Sequence, residues 1–436
     1  MNPQQVYDII GIGIGPFNLG LAALSAPVEG LNTLFLDQSV SFDWHPGLML
    51  DDATLQVPFM ADLVTMADPT SPYSLLNYLK QNNRIYKFYI RESFFVYRRE
   101  YNLYCQWVAE QLDNCRFGQK VVQIDYEGGI YQVTSEDTRS GATSFLLCRK
   151  LVLGTGTQPY IPEAIRKARP DRLIHTADYL HRKTEVVQQQ SVTIVGSGQS
   201  AAEIFRDLLP ETRKGLQLNW ITRSGRFFPL ENHAKLTLEM TSPDYVDYFY
   251  TLSEAVKKNL LTTQQSLYKG INYDLINDIY NSMYAIELAD GSVNASLRCN
   301  SSLQAIRTGD NGQHVLTFHQ EEQDLSFELP TQYVIMATGY KYREPGFLRN
   351  IQDRIQRNPD GSFAVHRNYS IDQDASDIYV QNAELHTHGF VSPDLGMGAY
   401  RNAFILNDVL GKEVYRVEQK IAFQQFEATT AILQPA

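Results

Sequence analysis

Short apolar runs followed by glycine-rich turns recur along this chain and predict two βαβ units. Residues 6–10 (Val-Tyr-Asp-Ile-Ile) and 191–195 (Ser-Val-Thr-Ile-Val) are rich in apolar and β-branched residues, which favours buried strands. A helix-compatible stretch and another apolar run follow each of them, ending just before Asp37 and Arg223. Strands that alternate with helices in this way are typical of a parallel α/β sheet.

The pattern between and after these units predicts further elements. Residues 73–113 are expected to be helical in two pieces, since apolar positions near the end of this stretch recur at helical spacing. Residues 117–153 predict short strands separated by glycine turns. The C-terminal part predicts a strand at 377–380 and a helix over 398–411.

A dinucleotide-binding fingerprint follows the first strand of each unit. The fingerprint residues are Gly11, Gly13, Gly15, Pro16 and Asn18 in the first unit and Gly196, Gly198, Gln199 and Ser200 in the second. Glycines let the backbone turn tightly and approach a pyrophosphate, whose charge then lies at a helix N-terminus. One such motif alone is also compatible with a glycine-rich turn that binds nothing, whereas two in strand–turn–helix context predict two nucleotide sites.

The residues that end the next strand of each unit distinguish the two predicted cofactors. Asp37 ends the first, and a carboxylate there accepts hydrogen bonds from ribose hydroxyls and repels a 2′-phosphate, so FAD or NAD fits. Arg223 and Arg226 follow the second, and guanidinium groups suit the 2′-phosphate of NADPH. Arg223 is the stronger candidate, and a solvated turn arginine is the alternative.

A second duplicated element suggests where the domains end. The apolar runs before Gly154-Thr155-Gly156 and before Ala337-Thr338-Gly339 each finish in a similar turn. We therefore expect an α/β fold of two Rossmann-like domains with a small helical substrate region. The expected FAD-binding domain is discontinuous, over 1–185 and 341–436, and the expected NADPH-binding domain covers 186–340 with a helical insert at about 231–285.

Composition excludes several other classes of protein. The 436 residues are 43% hydrophobic and carry a net charge of −11, which argues against a nucleic-acid or anionic-membrane partner. No apolar stretch reaches the ~18–20 residues of a membrane span. The four cysteines show neither metal-ligand nor Cys-x-x-Cys spacing, so we expect free thiols in a cytoplasmic protein.

Several irregular-loop motifs resemble the siderophore-pathway N-hydroxylating flavin monooxygenases, which act on lysine, ornithine or diamines. These motifs are Gly13-Ile14-Gly15-Pro16-Phe17-Asn18-Leu19-Gly20, Asp43-Trp44-His45-Pro46-Gly47, Leu55-Gln56-Val57-Pro58-Phe59, Asp68-Pro69-Thr70-Ser71-Pro72-Tyr73, Ile271-Asn272-Tyr273, Ala337-Thr338-Gly339-Tyr340 and His388-Gly389. The resemblance implies that NADPH reduces FAD, that O2 adds at the flavin C4a position, and that a neutral primary amine attacks the resulting hydroperoxide. Hydroxamate siderophore biosynthesis is the implied pathway, and a homo-oligomer is expected by analogy.

The resemblance also implies roles for particular residues. It places the Trp44-His45 loop against the flavin, Gln56 near the reacting centre, and Asn272 and Tyr273 near substrate and nicotinamide. Thr338, Gly339 and Leu395 join the expected cofactor contacts, and Gln56 and Asn272 are the candidate catalytic residues. Each also has a structural alternative, such as a packed Trp or a loop amide.

Three departures from the family pattern bear on the substrate. Relatives that act on lysine or ornithine have a Lys where this chain has Ala61, and ornithine-acting relatives have an amide where it has Leu238. The Leu-Ser pair of the family pattern is replaced here by Leu395-Gly396. Since a buried carboxylate needs polar partners, their loss favours a diamine such as putrescine or cadaverine. Arg99 argues for an amino acid, because it is a candidate for holding a substrate carboxylate.

Other functions remain compatible with two nucleotide sites. A pyridine-nucleotide disulfide reductase needs a redox cysteine pair near the flavin, and the spacing of Cys105 and Cys115 fits this poorly. A ketone- or sulfur-oxidising monooxygenase would normally have a Phe-x-Gly before the His175-x-x-x-Tyr179 element, and this chain lacks it. A non-catalytic FAD- and NADP-binding protein is the third alternative.

Overall fold

Two sheets of largely parallel strands form the frame of the protein, as the alternating pattern predicts. The computed structural model describes residues 5–428 apart from 169, 232–233 and 310–311. Within these residues the strands are β1 (Val6–Ile12), β2 (Thr33–Leu36), β3 (Thr54–Pro58), β4 (Phe95–Tyr97), β5 (Cys115–Arg116), β6 (Gln119–Glu127), β7 (Ile130–Asp137), β8 (Thr143–Leu153), β9 (Thr157–Pro159), β10 (Leu173–His175), β11 (Ser191–Val195), β12 (Gln217–Ile221), β13 (Ala295–Arg298), β14 (Ser301–Thr308), β15 (His314–Gln320), β16 (Leu325–Thr331), β17 (Tyr333–Met336), β18 (Tyr340–Tyr342) and β19 (Ile378–Val380).

Helices cover the sheets and fill the long connections. The α-helices in the described residues are α1 (Pro16–Ser25), α2 (Leu75–Gln81), α3 (Ile85–Arg91), α4 (Arg98–Ala109), α5 (Glu163–Ala168), α6 (Tyr179–Val186), α7 (Gln199–Leu208), α8 (Lys235–Leu238), α9 (Pro243–Thr251), α10 (Glu254–Thr263), α11 (Tyr273–Asp290), α12 (Leu385–His388) and α13 (Gly398–Leu410). The segment 73–113 thus has three helices and a short strand, where the sequence predicted two helical pieces. Among the described residues, no helix combines the length and the apolar character that a membrane crossing requires.

The first sheet has the strand order β5-β2-β1-β8-β7-β6, with β19 beside β8. Strand β1 is parallel to both of its neighbours, whereas the hairpin of β6 and β7 is antiparallel. The long strand β8 pairs with β7 through its first half and with β19 through its last three residues. The C-terminal part of the chain therefore returns to the sheet in which the N-terminal strand lies.

The second sheet is parallel throughout, in the order β10-β17-β11-β12-β13. All five residues of β11 are buried, as expected for a strand covered on both faces. Strand β10 belongs to this sheet although it precedes residue 186. Strands β9 and β18 pair with each other and form the two crossings between the sheets.

Helices α8–α11 fill the connection between β12 and β13, so this part of the chain is helical, as the sequence predicted. Asn272 begins the long helix α11, where its side-chain oxygen accepts hydrogen bonds from the backbone N–H groups of Asp274 and Leu275, at 2.9 and 3.3 Å. An Asn at this position is a strong helix-start signal because it satisfies otherwise unpaired donors.

A buried ion pair joins the C-terminal helix α13 to the residue before α12, next to the N-terminal helix α1. The Arg401 guanidinium lies 2.9 Å from Glu384, and both side chains are almost completely buried. Arg401 also donates to the carbonyl of Ser392 and lies 4.6 Å from the centre of the Phe17 ring. The positive charge of Arg401 therefore packs against the first turn of α1 and is shielded from water.

We expect Arg401→Met to lower the free energy of unfolding by about 3–5 kcal/mol, because Glu384 would stay buried without its counter-ion. Lys167→Met is the matched control, since Lys167 and Glu163 form an exposed pair at 2.8 Å. The control should change the free energy by less than about 1 kcal/mol. Urea unfolding followed by tryptophan fluorescence measures both, and equal effects would contradict the assigned role of the buried pair.

Candidate functional site

A cavity of about 790 Å³ opens beside the carboxyl ends of the first sheet. Its walls come from the first fingerprint turn, the loop after β2, strand β3, the turn after β8, the helical connection and the segment before α13. Of the predicted site residues, the cavity is lined by Gly13, Gly15, Pro16, Asn18, Asp37, Trp44, His45, Gln56, Leu238 and Leu395. Residues far apart in the sequence thus meet at one place, at the end of the sheet where α/β proteins bind their ligands.

Steric crowding requires two of the three glycines of the first fingerprint. A β-carbon at Gly11 would lie 2.1 Å from the Phe35 ring, and one at Gly13, where φ is +88°, would lie 2.4 Å from the carbonyl oxygen of Gly154. Gly15 differs, since a β-carbon added there would meet nothing within 4 Å. It precedes α1, whose first residue is Pro16, so the open space is at a helix N-terminus.

Asn18 and Asp37 both support the first turn. The buried Asn18 amide donates to the carbonyl of Gly13 at 2.8 Å, and its oxygen accepts from Gln381 at 2.7 Å. Asp37 accepts from the backbone N–H groups of Ile14 and Ser39, both at 2.7 Å. Asn18 therefore shapes the turn through its side chain, while Asp37 lies at the end of β2 on the cavity wall, as predicted for a ribose acceptor.

Aromatic rings form one side of the cavity. The Trp44 ring lies 4.9 Å from His45 and 5.5 Å from Tyr101, and His45 lies 5.6 Å from Tyr340. His45 is exposed toward the cavity, and its ring lines the wall. Desolvation by the surrounding protein, together with the positive charge of Arg98, lowers the pKa of His45 to about 4, so the imidazole is neutral at physiological pH.

A hydrogen-bonded chain leads from this cavity to the second fingerprint. Arg98, on the cavity wall, pairs with Glu203 of α7 through two hydrogen bonds, at 2.7 and 3.0 Å. Glu203 accepts from the Gln199 amide at 2.9 Å, and the Gln199 oxygen accepts from the backbone N–H of Asn272 at 2.8 Å. Gln199 thus links the fingerprint helix α7 to the start of α11.

The second fingerprint turn has the same construction as the first. A β-carbon at Gly196, where φ is +138°, would lie 2.1 Å from the carbonyl oxygen of Ala337, and Gly198 precedes α7 with Ser200 in its first turn. Thr338 donates to the carbonyl of Tyr160, and the Gly339 carbonyl is 3.0 Å from His175 Nε2. These last residues join the two crossings between the sheets.

Basic side chains lie beyond this second turn. Arg223 and Arg226 are exposed after β12. Lys269 lies close by, since a β-carbon at Gly198 would be 3.9 Å from the Lys269 carbonyl oxygen. Partial burial and the positive charge of Arg223 lower the pKa of Lys269, which indicates that two cations lie close together in this region. Lys269 gave no signal in the sequence.

Several predicted residues lie elsewhere. Arg99 is exposed, 3.7 Å from Asp51, and does not line the cavity; its neighbour Arg98 does. The Asn272 oxygen, a candidate acceptor for an amine, is occupied as the cap of α11, so its amide nitrogen is the group that remains for a ligand. Tyr273 is exposed, and Tyr179 donates to Asp207.

The cavity also has polar residues that the sequence did not indicate. Apart from Arg98, these include Lys235, Thr241, Tyr268 and Asp394. Asp394 follows the proline of an irregular segment and precedes a short 3₁₀ turn, so in the sequence it looked like an ordinary turn residue. Long-range packing, rather than any local motif, brings it to the wall.

The fold and the cavity define a class of protein that binds two dinucleotides, because each parallel sheet has a glycine-rich turn at the end of a central strand. The chain belongs to the L-lysine 6-monooxygenase/L-ornithine 5-monooxygenase family, whose model matches residues 5–342. This assignment confirms the family that the loop motifs predicted.

Particular relatives cover almost the whole chain. The putrescine N-hydroxylase of Shewanella oneidensis is 54% identical over 427 residues, which are 97% of this chain and 84% of that protein. The L-lysine N6-monooxygenase of Escherichia coli is 32% identical over 432 residues, 98% of this chain and 100% of that protein. The FAD-bound cadaverine monooxygenase of the desferrioxamine pathway of Erwinia amylovora superimposes with a TM-score of 0.96 at 52% identity, covering 98% of this chain and 100% of that one. This similarity confirms the predicted α/β fold class.

Proposed function

We propose that this protein hydroxylates one nitrogen of a diamine such as putrescine or cadaverine, with FAD, NADPH and O2, in hydroxamate siderophore biosynthesis. The observation that carries the proposal is the cavity beside the first fingerprint, whose wall has Leu238. By the family resemblance, ornithine-acting relatives have an amide at this position. The similarity to the putrescine and cadaverine enzymes supports the same substrate class.

The residues present fit an FAD molecule in this cavity. The open space at Gly15 can admit a pyrophosphate at the N-terminus of α1, and Asp37 lies where a ribose hydroxyl would be accepted. Trp44, His45 and Gln56 form the wall that we assign to the ring system. Bound FAD supplies the redox and oxygen-transfer chemistry, while the protein orients the substrate and excludes water.

The chemical demand on the protein is a deprotonated amine. Alkylamines have pKa values of about 10, so a site that accepts the reacting nitrogen must disfavour its charged form. The neutral His45 and the aromatic wall around Trp44 add no negative charge that would stabilise an ammonium there. We assign Gln56 and the amide nitrogen of Asn272 to positioning of substrate and nicotinamide.

We assign the NADPH site to the second fingerprint. Gly196, Gly198, Gln199 and Ser200 form the turn and the helix start, and Arg223, Arg226 and Lys269 offer positive charge to a 2′-phosphate. We propose that the FAD-binding domain comprises 1–172 and 341–436, because strand β10 pairs within the second sheet.

Assembly and location belong to the same proposal. We propose a homo-oligomer, because Tyr280, Tyr284 and Leu288 form an exposed stripe along α11, 62–77% accessible. A cytoplasmic location fits the four cysteines, which are free thiols in this structure.

Hydroxylamine formation by the purified, FAD-loaded protein tests the proposed reaction. With NADPH and O2 we expect product from putrescine or cadaverine and little from ornithine, lysine or histamine, with peroxide release recorded in parallel. Product from lysine or ornithine alone would contradict the substrate assignment. NADPH oxidation that yields peroxide with every amine would contradict the diamine assignment as well.

Gly15→Ala should leave the fold intact but reduce FAD retention at least about tenfold, because the added methyl enters space reserved for the pyrophosphate. Gly346→Ala is the matched control, since it also meets nothing within 4 Å but lies away from the cavity. Flavin absorbance per protein after purification and reconstitution is the measurement. Equal retention by both variants would remove Gly15 from the cofactor site.

Arg223→Ala should raise the KM for NADPH by roughly 10- to 100-fold, the loss expected for a charge-assisted hydrogen bond, and leave the KM for NADH nearly unchanged. Lys269→Met should act in the same direction. Arg213→Ala, an exposed arginine paired with Asp290 at 2.7 Å, is the control that should affect neither. A similar change for both nucleotides would contradict the phosphate assignment.

A further inference from the structure

One carboxylate on the cavity wall is only partly satisfied by the protein. Asp394 Oδ1 accepts from the backbone N–H of Gly396 at 2.7 Å, whereas Oδ2 has no hydrogen-bond partner in the described part of the chain. Protein surrounds the side chain, and its open surface is on the cavity. This burial raises the pKa of Asp394. The hydrogen bond from Gly396 and the charge of Arg401 therefore offset only part of the cost of burying the carboxylate.

The surroundings of Asp394 include two of the three departures from the family pattern. A β-carbon placed on Gly396 would lie 3.1 Å from Asp394 Oδ1 and 3.9 Å from the Ala61 side chain. Ala61, where lysine- and ornithine-acting relatives have Lys, and Gly396, where the family pattern has Ser, are therefore next to each other and next to this carboxylate. Ala61 has only a methyl group and Gly396 only a hydrogen, so neither residue supplies a cation to Asp394.

The cation that acts on Asp394 is Arg401, and its interactions lie elsewhere. Arg401 is paired with the buried Glu384 at 2.9 Å and donates to the carbonyl of Ser392 at 2.6 Å. Its charge lowers the pKa of Asp394 less than burial raises it. The carboxylate thus remains available to a positively charged ligand.

The other two acidic residues of the cavity differ from Asp394. Asp37 accepts two backbone hydrogen bonds, one on each oxygen, and Asp43, which accepts from Asn102 at 3.0 Å, is exposed to solvent. Asp394 also has the right neighbours for substrate recognition, because the short turn that follows it, at 395–397, contacts strand β3, which contains Gln56. An extended ligand can therefore touch both walls.

We propose that Asp394 binds the distal ammonium group of the diamine and thereby selects a substrate with a second positive charge over an amino acid. The inference rests on the proposed diamine N-hydroxylation. An ammonium group supplies the counter-charge that Asp394 lacks, through a charge-assisted hydrogen bond to Oδ2. A substrate carboxylate near the same position would instead be repelled, because two like charges would share a desolvated site.

Asp394→Asn tests this role, since the amide keeps the acceptor for Gly396 and removes the charge. In the FAD-loaded enzyme we expect kcat/KM for putrescine to fall roughly 10- to 100-fold, mainly through KM, while kcat/KM for butylamine stays within about twofold. The rate of flavin reduction by NADPH should not change. Asp51→Asn, an exposed carboxylate away from the cavity, is the control and should leave the ratio of the two substrates unaltered.

Two results would overturn the proposal: an equal loss for putrescine and butylamine, or an unchanged preference for putrescine. The wild-type enzyme gives an independent check if the variant fails to fold, because it should prefer putrescine to butylamine by roughly 10- to 100-fold. An enzyme that hydroxylates no diamine would contradict the proposed function itself. An enzyme that hydroxylates diamines and monoamines equally well would contradict only the role of Asp394.

Discussion

At two places in this protein the backbone passes so close to another segment that no β-carbon fits between them, and the position of both cofactor turns depends on these contacts. The first fingerprint turn packs against Gly154, because a methyl group on Gly13 would lie 2.4 Å from the Gly154 carbonyl oxygen. The second fingerprint turn packs against Ala337 in the same way, because a methyl group on Gly196 would lie 2.1 Å from the Ala337 carbonyl oxygen. Each of these contacts fixes where the following helix begins relative to the end of its sheet. It therefore also determines the position of the space that a pyrophosphate can occupy at the helix N-terminus.

The two halves meet through contacts that are equally specific. A β-carbon on Gly47 would lie 1.7 Å from the carbonyl oxygen of Ala177. The loop after Trp44 and His45 therefore packs directly against the segment before α6. Arg98 and Glu203 then join the cavity wall to α7 through a largely buried ion pair. Since Glu203 also accepts a hydrogen bond from Gln199, and Gln199 accepts one from the backbone of Asn272, these three side chains link the cavity wall to the second fingerprint helix and to the start of α11.

Sequence patterns predicted those parts of the structure that depend on local interactions. Strands β1 and β11, their glycine turns and the helical connection after β12 all have short-range signals. The choice between Arg98 and Arg99 has none, because only the partner Glu203, 105 positions away, distinguishes them. Lys269 and Asp394 were missed for the same reason. The capping role of Asn272 was predictable, since an Asn before a long amphipathic stretch is a frequent helix start.

Diamine hydroxylation places opposite electrostatic demands on the two ends of one small molecule. The reacting nitrogen must lose its proton, which a desolvated wall with a neutral His45 favours, whereas the other nitrogen keeps its charge and needs a partner such as Asp394. An ammonium bound at one end also repels a positive charge at the other, and so favours deprotonation of the reacting amine. A carboxylate placed at the distal end therefore contributes to substrate selection without stabilising the wrong protonation state at the reacting nitrogen.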